Sequence, residues 1–347
     1  ADSLDSVATA AIRATDNQHG GFGSGGPKFP QPWRIDALLR ASAATGGDDA
    51  LPAATASLDA VAAGGVYDHL GGGFHRYATD REWTVPHFEK MLYDNGELLA
   101  LYAAAYRRTG RERYARIVRE TADFLRRELR HDDGGLFSTL DAQSEGEGGE
   151  REEGAFYVWT PEQVHDAVED EQAADIFCEY FGVSERGNFE GATVLGVRKP
   201  VDVLAEEYDL SEAELTEKLE GALSEAFEAR EERPRPARDE KILAGWNGLM
   251  ISTLAEGAVV LDDAYADVAA DALGFVREQL WDEEAKRLSR RYKDGDVAID
   301  GYLEDYAFLA RGAADLFEAT GEVEYLDFAL ELAEAITEAF WDEDDET

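Results

Sequence analysis

The segment Tyr114–Leu129, YARIVRETADFLRREL, carries Tyr114, Ile117, Val118, Thr121, Phe124, Leu125 and Leu129 at offsets 0, 3, 4, 7, 10, 11 and 15. Spacings of three and four place these residues along one face of a helix, leaving the charged residues on the other. The same offsets from Tyr265 give Val268, Ala269, Ala272, Phe275, Val276 and Leu280. From Tyr325 they give Phe328, Ala329, Leu332, Ala335, Ile336 and Phe340, and from Leu51 they give Ala54, Thr55, Leu58, Val61, Ala62 and Val66. A shorter copy runs from Leu4 through Val7, Ala8, Ala11 and Ala14. A helix pattern that returns along a chain marks a repeat architecture.

What surrounds these helices recurs as well. His19-Gly20-Gly21-Phe22, Gly71-Gly72-Gly73-Phe74 and Gly134-Gly135-Leu136-Phe137 are glycine turns that end on an aromatic residue. Thr109-Gly110-Arg111-Glu112 and Thr320-Gly321-Glu322-Val323 are matching turns between paired helices, with glycine as the stop. Nine helices are expected, over Ser3–Thr15, Trp33–Thr45, Leu51–Ala63, Pro86–Arg108, Arg111–Leu129, Asn247–Leu261, Asp263–Leu280, Tyr302–Thr320 and Glu322–Phe340. Between the fifth and sixth lies an insertion, about 130–241, with strand-like pieces at Leu136–Leu140, Ala155–Thr160 and Thr193–Val197 and some short helices. Hairpins returning after about 60 residues, as from Tyr265 to Tyr325, predict an all-α, six-hairpin (α/α)6 toroid in a single domain over 1–347, incomplete in this chain, with a small mixed α/β insertion. An open superhelix of helix pairs is the alternative. Trp281 and Trp341 occupy equal positions in two repeats and are expected in the core.

Composition narrows the function classes. Of 347 residues, 75 are Asp or Glu and 33 are Lys or Arg, a net charge of −42; only seven of the basic residues are lysine. Such a chain repels nucleic acid and anionic membranes. The acids are spread along most of the chain, denser in Glu145–Glu153, Glu206–Glu232 and Asp342–Glu346. This predicts a protein screened by concentrated salt, where the Debye length falls to about 3 Å, over the alternative of an acidic face for a basic partner. No apolar run reaches the ~20 residues that span a bilayer. The single Cys178 excludes an internal disulfide, a CxxC pair and a cysteine-built zinc site. A cytoplasmic location is expected. No GxxxxGK[ST] or HExxH occurs, and the histidines lack ligand spacing, so neither cofactor nor metal is expected.

Against this acidic background, His, Lys, Trp and Asn gather in the long loops, which such repeats bring to one rim. Three of the six histidines fall in one window, His69 to His87. Within it His75, His87, Glu89 and Asp94 are candidate catalytic residues, with Asp141 from a later loop. Arg76, Tyr77, Trp83, Lys90, Asn95, Glu145, Asp239, Lys241, Trp246, Asn247 and Asp305 are candidate substrate contacts. On the expected fourth helix, His87, Glu89 and Lys90 lie in the first turn, whose free N–H groups favour anions. The run Asp239 to Gly248 echoes Phe88 to Gly96 with one residue inserted, so two repeats present a Glu-Lys pair and an amide. The bland readings stand beside these: loop histidines satisfied by backbone, Glu-Lys pairs worth under about 1 kcal/mol, and tryptophans in the core.

Several long motifs carry a family likeness. These are His19 to Gly23 with Pro27 to Pro30, Tyr67 to Tyr77 through Trp83, and Val85 to Asn95. Asp141 to Glu145, Phe156 to Thr160 and Lys241 to Gly248 complete the set. Together the chain resembles the thioredoxin-domain-containing family of spermatogenesis-associated protein 20. The resemblance implies an N-terminal thioredoxin-like domain, expected to lie outside this stretch with its cysteine motif, followed by a six-hairpin barrel similar to those of glycosidases and N-acylglucosamine 2-epimerases. The chain is expected to stop before the last hairpin.

Two functions follow as expectations. A carbohydrate-active enzyme would use His75 and His87 as an epimerase acid/base pair, with Arg76 and Lys90 on substrate oxygens and Trp83 or Trp246 against the sugar. A glycosidase would use two carboxylates from Glu89, Asp94, Asp141, Glu145, Asp239 and Asp305. The alternative is a non-catalytic module that binds a peptide or glycan while the thioredoxin-like domain acts on it.

Overall fold

A computed structural model describes residues 2–45, 49–146 and 148–341. They pack as two compact units, one from the chain up to Lys90 with Asp141–Ala237, the other from Met91–Leu140 and the chain from Arg238 onward. The acidic run ending the sequence, Asp342–Glu346, lies outside the described residues.

In the first unit the helices are α1 (Asp2–Ala14), α2 (Pro32–Thr45) and α3 (Ala50–Ala63). In the second they are α4 (Leu92–Thr109) and α5 (Glu112–Phe124), which continues as a π turn over Leu125–Leu129. The first unit resumes with α6 (Pro161–Ala167), α7 (Glu171–Phe181), α8 (Val201–Glu207) and α9 (Glu212–Glu231). The second closes with α10 (Ala244–Val260), α11 (Ala264–Leu280), α12 (Leu303–Thr320) and α13 (Val323–Phe340). The repeated stripes are the buried faces: Tyr114 to Leu129 and Tyr265 to Leu280 are covered at every quoted position. The two threonine-glycine turns are alike in detail. Gly110 and Gly321 sit at φ 65° and 78°, and Thr109 and Thr320 each donate to the carbonyl four residues back. Trp281 is buried as expected, but Trp341 is 55% exposed, because no described residue covers the outer face of α13.

The expectation of an all-α chain needs correction. The long loops of the second unit pair as antiparallel strands in the order Asp296–Asp300, Arg287–Lys293, Arg238–Leu243, Phe137–Leu140, and Trp281–Asp282 folds back on Arg287–Lys293. The outer hairpin turns through Asp294-Gly295 at φ 50° and 83°, the positive values that a two-residue hairpin turn requires. Of the strand-like pieces expected in the insertion, Leu136–Leu140 is a strand. Ala155–Thr160 and Thr193–Val197 meet only in a single bridge, Trp159 to Thr193. The insertion's helices build their own core from Trp159, Ile176, Phe177, Phe181, Leu204 and Leu215. α9 starts in a capping box, Ser211 with Glu214.

The expected helix over Pro86–Arg108 begins six residues late, at Leu92. The Asp80 carboxylate gathers the N–H groups of Glu82, Thr84 and Val85 into a tight loop. The chain then runs extended, His87 pairing with Tyr77 and Pro86 with Ala78. His87, Glu89 and Lys90 are therefore in extended backbone and not in a helix turn. Among the described residues no helix is long and apolar enough to cross a membrane.

Candidate functional site

Two glycine loops of the first unit share one construction. Asp16 N–H donates to Gly21 O and Gly20 N–H to Asp16 O; Asp68 N–H donates to Gly73 O and Gly72 N–H to Asp68 O. Each aspartate also caps the loop with its side chain, Asp16 for Gln18 and His19, Asp68 for Leu70 and Gly71. Each then takes a buried lysine: Lys28 Nζ lies 2.8 Å from Asp16 and Lys90 Nζ 2.7 Å from Asp68. An arginine completes each cluster, Arg81 at 2.8 Å and Arg230 at 2.7 Å. The Arg81 guanidinium holds the Asp16 carboxyl well below the usual carboxylate range. Burial would raise Asp68, yet Arg230 and Lys90 hold it well below that range.

His75 sits in the second cluster. Its Nδ1 lies 2.8 Å from Phe88 O, and its ring stands edge-on to Tyr157 at 4.6 Å. Burial, reinforced by the Lys90 charge, pushes its pKa down to about 3, so it is neutral. Lys90 is 1% exposed and also donates to Gly72 O. Trp83 is likewise interior: its indole N–H donates to His19 O, and its ring fits so closely over Gly21 that a Cβ there would come within 2.5 Å. His75, Lys90 and Trp83 are thus buried, with polar atoms bonded inside the unit.

His87 is different, because it remains partly exposed. Its Nδ1 is 2.9 Å from a Glu153 oxygen and its Nε2 is 3.5 Å from a Glu89 oxygen. Arg76 lies 3.7 Å from the same Glu89 oxygen. The His87 ring stacks on Tyr77 at 5.3 Å and Tyr77 on Phe29 at 4.5 Å. Glu153 also lines a cavity of about 520 Å³ together with Glu145, Phe156, Phe189 and Arg233. Asp141 lies nearby in sequence but is paired with Arg151 at 2.7 Å. Burial works against it, yet hydrogen bonds from Gln143 N–H and Arg151 hold its carboxyl below the usual range. The first unit therefore brings together His87, Glu89, Arg76 and Tyr77, adds Glu145 through the cavity, and supplies Glu153, Phe29 and Phe156, which sequence reasoning missed.

The other candidates lie in the second unit. Asn95 and Asn247 are fully buried at the fourth position of α4 and α10, donating to Met91 O and Leu243 O. Asn247 also clamps both backbone groups of Leu136. Asp305 accepts from Gly245 N–H and Tyr302 N–H and pairs with Arg290 at 2.8 Å. Trp246 packs against Tyr93 at 4.9 Å, and Lys241 pairs with Asp239 at 2.8 Å. Asp94 lies in the first turn of α4. The echo between the two repeats is thus real in backbone, strand then helix with asparagine at position four, but Lys90 is buried on Asp68 while Lys241 stays half exposed. Asn95, Asn247 and Asp305 serve the fold.

No protein-family model matches the chain. Among solved structures it is similar to an α-1,6-mannanase, GH76A, of a Salegentibacter species in complex with α-1,6-mannotriose. The TM-score is 0.54 at 11% identity, over 97% of this chain and 70% of that one. The GH76 α-mannanase of Bacteroides thetaiotaomicron gives a TM-score of 0.51 at 11% identity, over 91% and 59%. The fold is therefore helix-rich, with neighbours of the six-hairpin toroid type. In sequence the chain is 37% identical to human spermatogenesis-associated protein 20 and 36% identical to the mouse protein, each over 94% of this chain and 46% and 45% of theirs. It belongs to the spermatogenesis-associated protein 20 family and spans about half the length of the curated relatives it matches.

Proposed function

We propose that the first unit carries a carbohydrate site centred on His87, in a protein of the six-hairpin glycosidase and epimerase class. The observation that carries the reading is one imidazole held between two carboxylates, Glu153 and Glu89, beside an aromatic stack and a cavity. Carboxylates accept from sugar hydroxyls, Arg76 donates to them, and aromatic rings cover the apolar face of a pyranose. As acid/base, His87 would keep Nδ1 on Glu153 and exchange a proton through Nε2 with a substrate group that takes the place of the more distant Glu89 oxygen. The likeness to mannanases supports the class of ligand, and neutral oligosaccharides fit a groove rich in acceptors.

One observation favours the second reading, a glycan- or peptide-binding module working with a thioredoxin-like domain. His75, the expected second acid/base group, is buried and bonded to backbone, which leaves one imidazole on the face. The lone Cys178 and acid-rich composition support a reducing, salt-rich cytoplasm as the setting.

The test is calorimetric titration with α-1,6-mannotriose and a panel of neutral oligosaccharides, repeated on His87→Ala and Glu153→Gln. Binding that falls at least about tenfold in both variants supports the site. No binding by any sugar, or unchanged binding in both variants, ends the proposal. Turnover of a bound sugar, followed by NMR, separates enzyme from binding module.

A further inference from the structure

A second cavity, of about 430 Å³, lies in the second unit and shares no residue with the His87 site. Arg126, Arg127, Arg130 and Arg238 line it with His131. Its acidic lining is Asp132, Glu240 and Asp294, and each arginine already has a carboxylate partner, Arg127 that of Glu128 at 2.8 Å and Arg238 that of Glu240 at 2.7 Å. Arg126 and Arg127 come from the π turn that ends α5, and Arg130 follows it directly. Such turns are rare and recur at functional sites. Arg238 approaches from the opposite strand, laid over the Phe137 ring at 4.3 Å and fixed by Glu128 O and Glu240. The Arg126 ion pair with Asp123 and the Arg130 ion pair with Asp271 each engage one guanidinium nitrogen. Five donors per guanidinium leave several on each for a ligand. His131 is set by Asp133 N–H donating to Nδ1 at 3.0 Å, and it stands among Phe137, Phe275 and Tyr292.

From this geometry we propose that the cavity binds a phosphate monoester. Several planar forks converging from two elements suit a tetrahedral dianion better than a single carboxylate, which one fork satisfies. The volume exceeds what the phosphate group alone occupies, and the Tyr292 ring offers a wall for the esterified group.

The experiment is calorimetric titration of the whole chain at fixed KCl with inorganic phosphate, glucose 6-phosphate and glucose. It is repeated on Arg126→Gln/Arg130→Gln and on Arg116→Gln/Arg119→Gln, exposed arginines of the same helix outside the cavity. Circular dichroism checks that both variants fold. Glucose 6-phosphate should bind the parent chain and lose at least about tenfold in affinity in the first variant only. Equal binding of inorganic phosphate, lost in the same variant, supports the site and makes the free anion its source. Failure of both phosphates to bind, or equal weakening in both variants, overturns the proposal. None of these substitutions touches a residue of the His87 site, so the outcome is independent of the site proposed above.

Discussion

Replacing Asp68 by asparagine tests the buried cluster most directly. One carboxylate there serves two cations: Oδ2 accepts from Lys90 at 2.7 Å, and Oδ1 accepts from Arg230 at 2.7 Å and from Leu70 and Gly71 N–H at 3.1 Å. With His75 neutral, the cluster already carries one excess positive charge, and Arg230 Nε finds no acceptor among the described residues. Asparagine keeps the Oδ1 contacts but turns an amide toward the lysine ammonium, leaving two buried cations uncompensated. Breaking a buried pair in this way costs about 3–5 kcal/mol, and like charge puts the expected loss at the upper end. Lys90→Met instead leaves Asp68 matched to Arg230 and removes the lysine donor from the Gly72 carbonyl and from Asp68 Oδ2, for a loss of about 2–3 kcal/mol. The assay is urea unfolding in molar KCl, followed by tryptophan fluorescence; salt reaches neither buried group. Asp68 also predicts the direction with pH. Its folded pKa is depressed, so its contribution is complete above the unfolded value near 3.9 and is lost as pH falls toward the folded one. A Lys90→Met chain as unstable as Asp68→Asn, or less stable, would refute the reasoning.

Three further outcomes are expected. Transfer from molar KCl to dilute buffer should reduce the helical circular dichroism signal, since a net charge of −42 repels itself without screening; an unchanged spectrum contradicts the salt reading. Asn247→Ala should lower stability by about 2–4 kcal/mol, because it strands both Leu136 backbone groups in a buried site, whereas Lys241→Ala should fall within about 0.5 kcal/mol. His75 should show no imidazole titration by NMR between pH 5 and 8. Its depressed pKa, about 3, means the stability it contributes is complete above about 6.5 and is lost between there and 3.

Much of the fold could be read in advance, and the reasons are local. The stripe from Tyr114 to Leu129 and its copies specify which face of each helix is buried, and Gly110 and Gly321 stop the paired helices at left-handed positions. Two further signals are local in the sequence. Asp294-Gly295 between alternating residues is a hairpin signature, and the Asp16 and Asp68 loops share an aspartate four residues before a glycine pair. Pro86 misled for a physical reason. Proline suits the first turn of a helix and an extended segment equally, and only the Asp80 loop and the pairing with Tyr77 and Ala78 select the second.

The site was legible as a cluster of residue types but not in its division of labour. His75 and His87, twelve residues apart, have the same side chain and opposite fates, one neutral beneath Tyr157, the other partly exposed between two carboxylates. Lys90 and Lys241 match in the backbone echo, yet one is interior and the other is not. By itself the sequence determined the helix repeat, the charge, the lone cysteine and the family, because these depend on composition and on neighbours three or four residues away. Only tertiary structure decided which ionisable groups are buried. That depends on partners such as Arg230 and Asp68, 162 residues apart, and no local spacing encodes that distance.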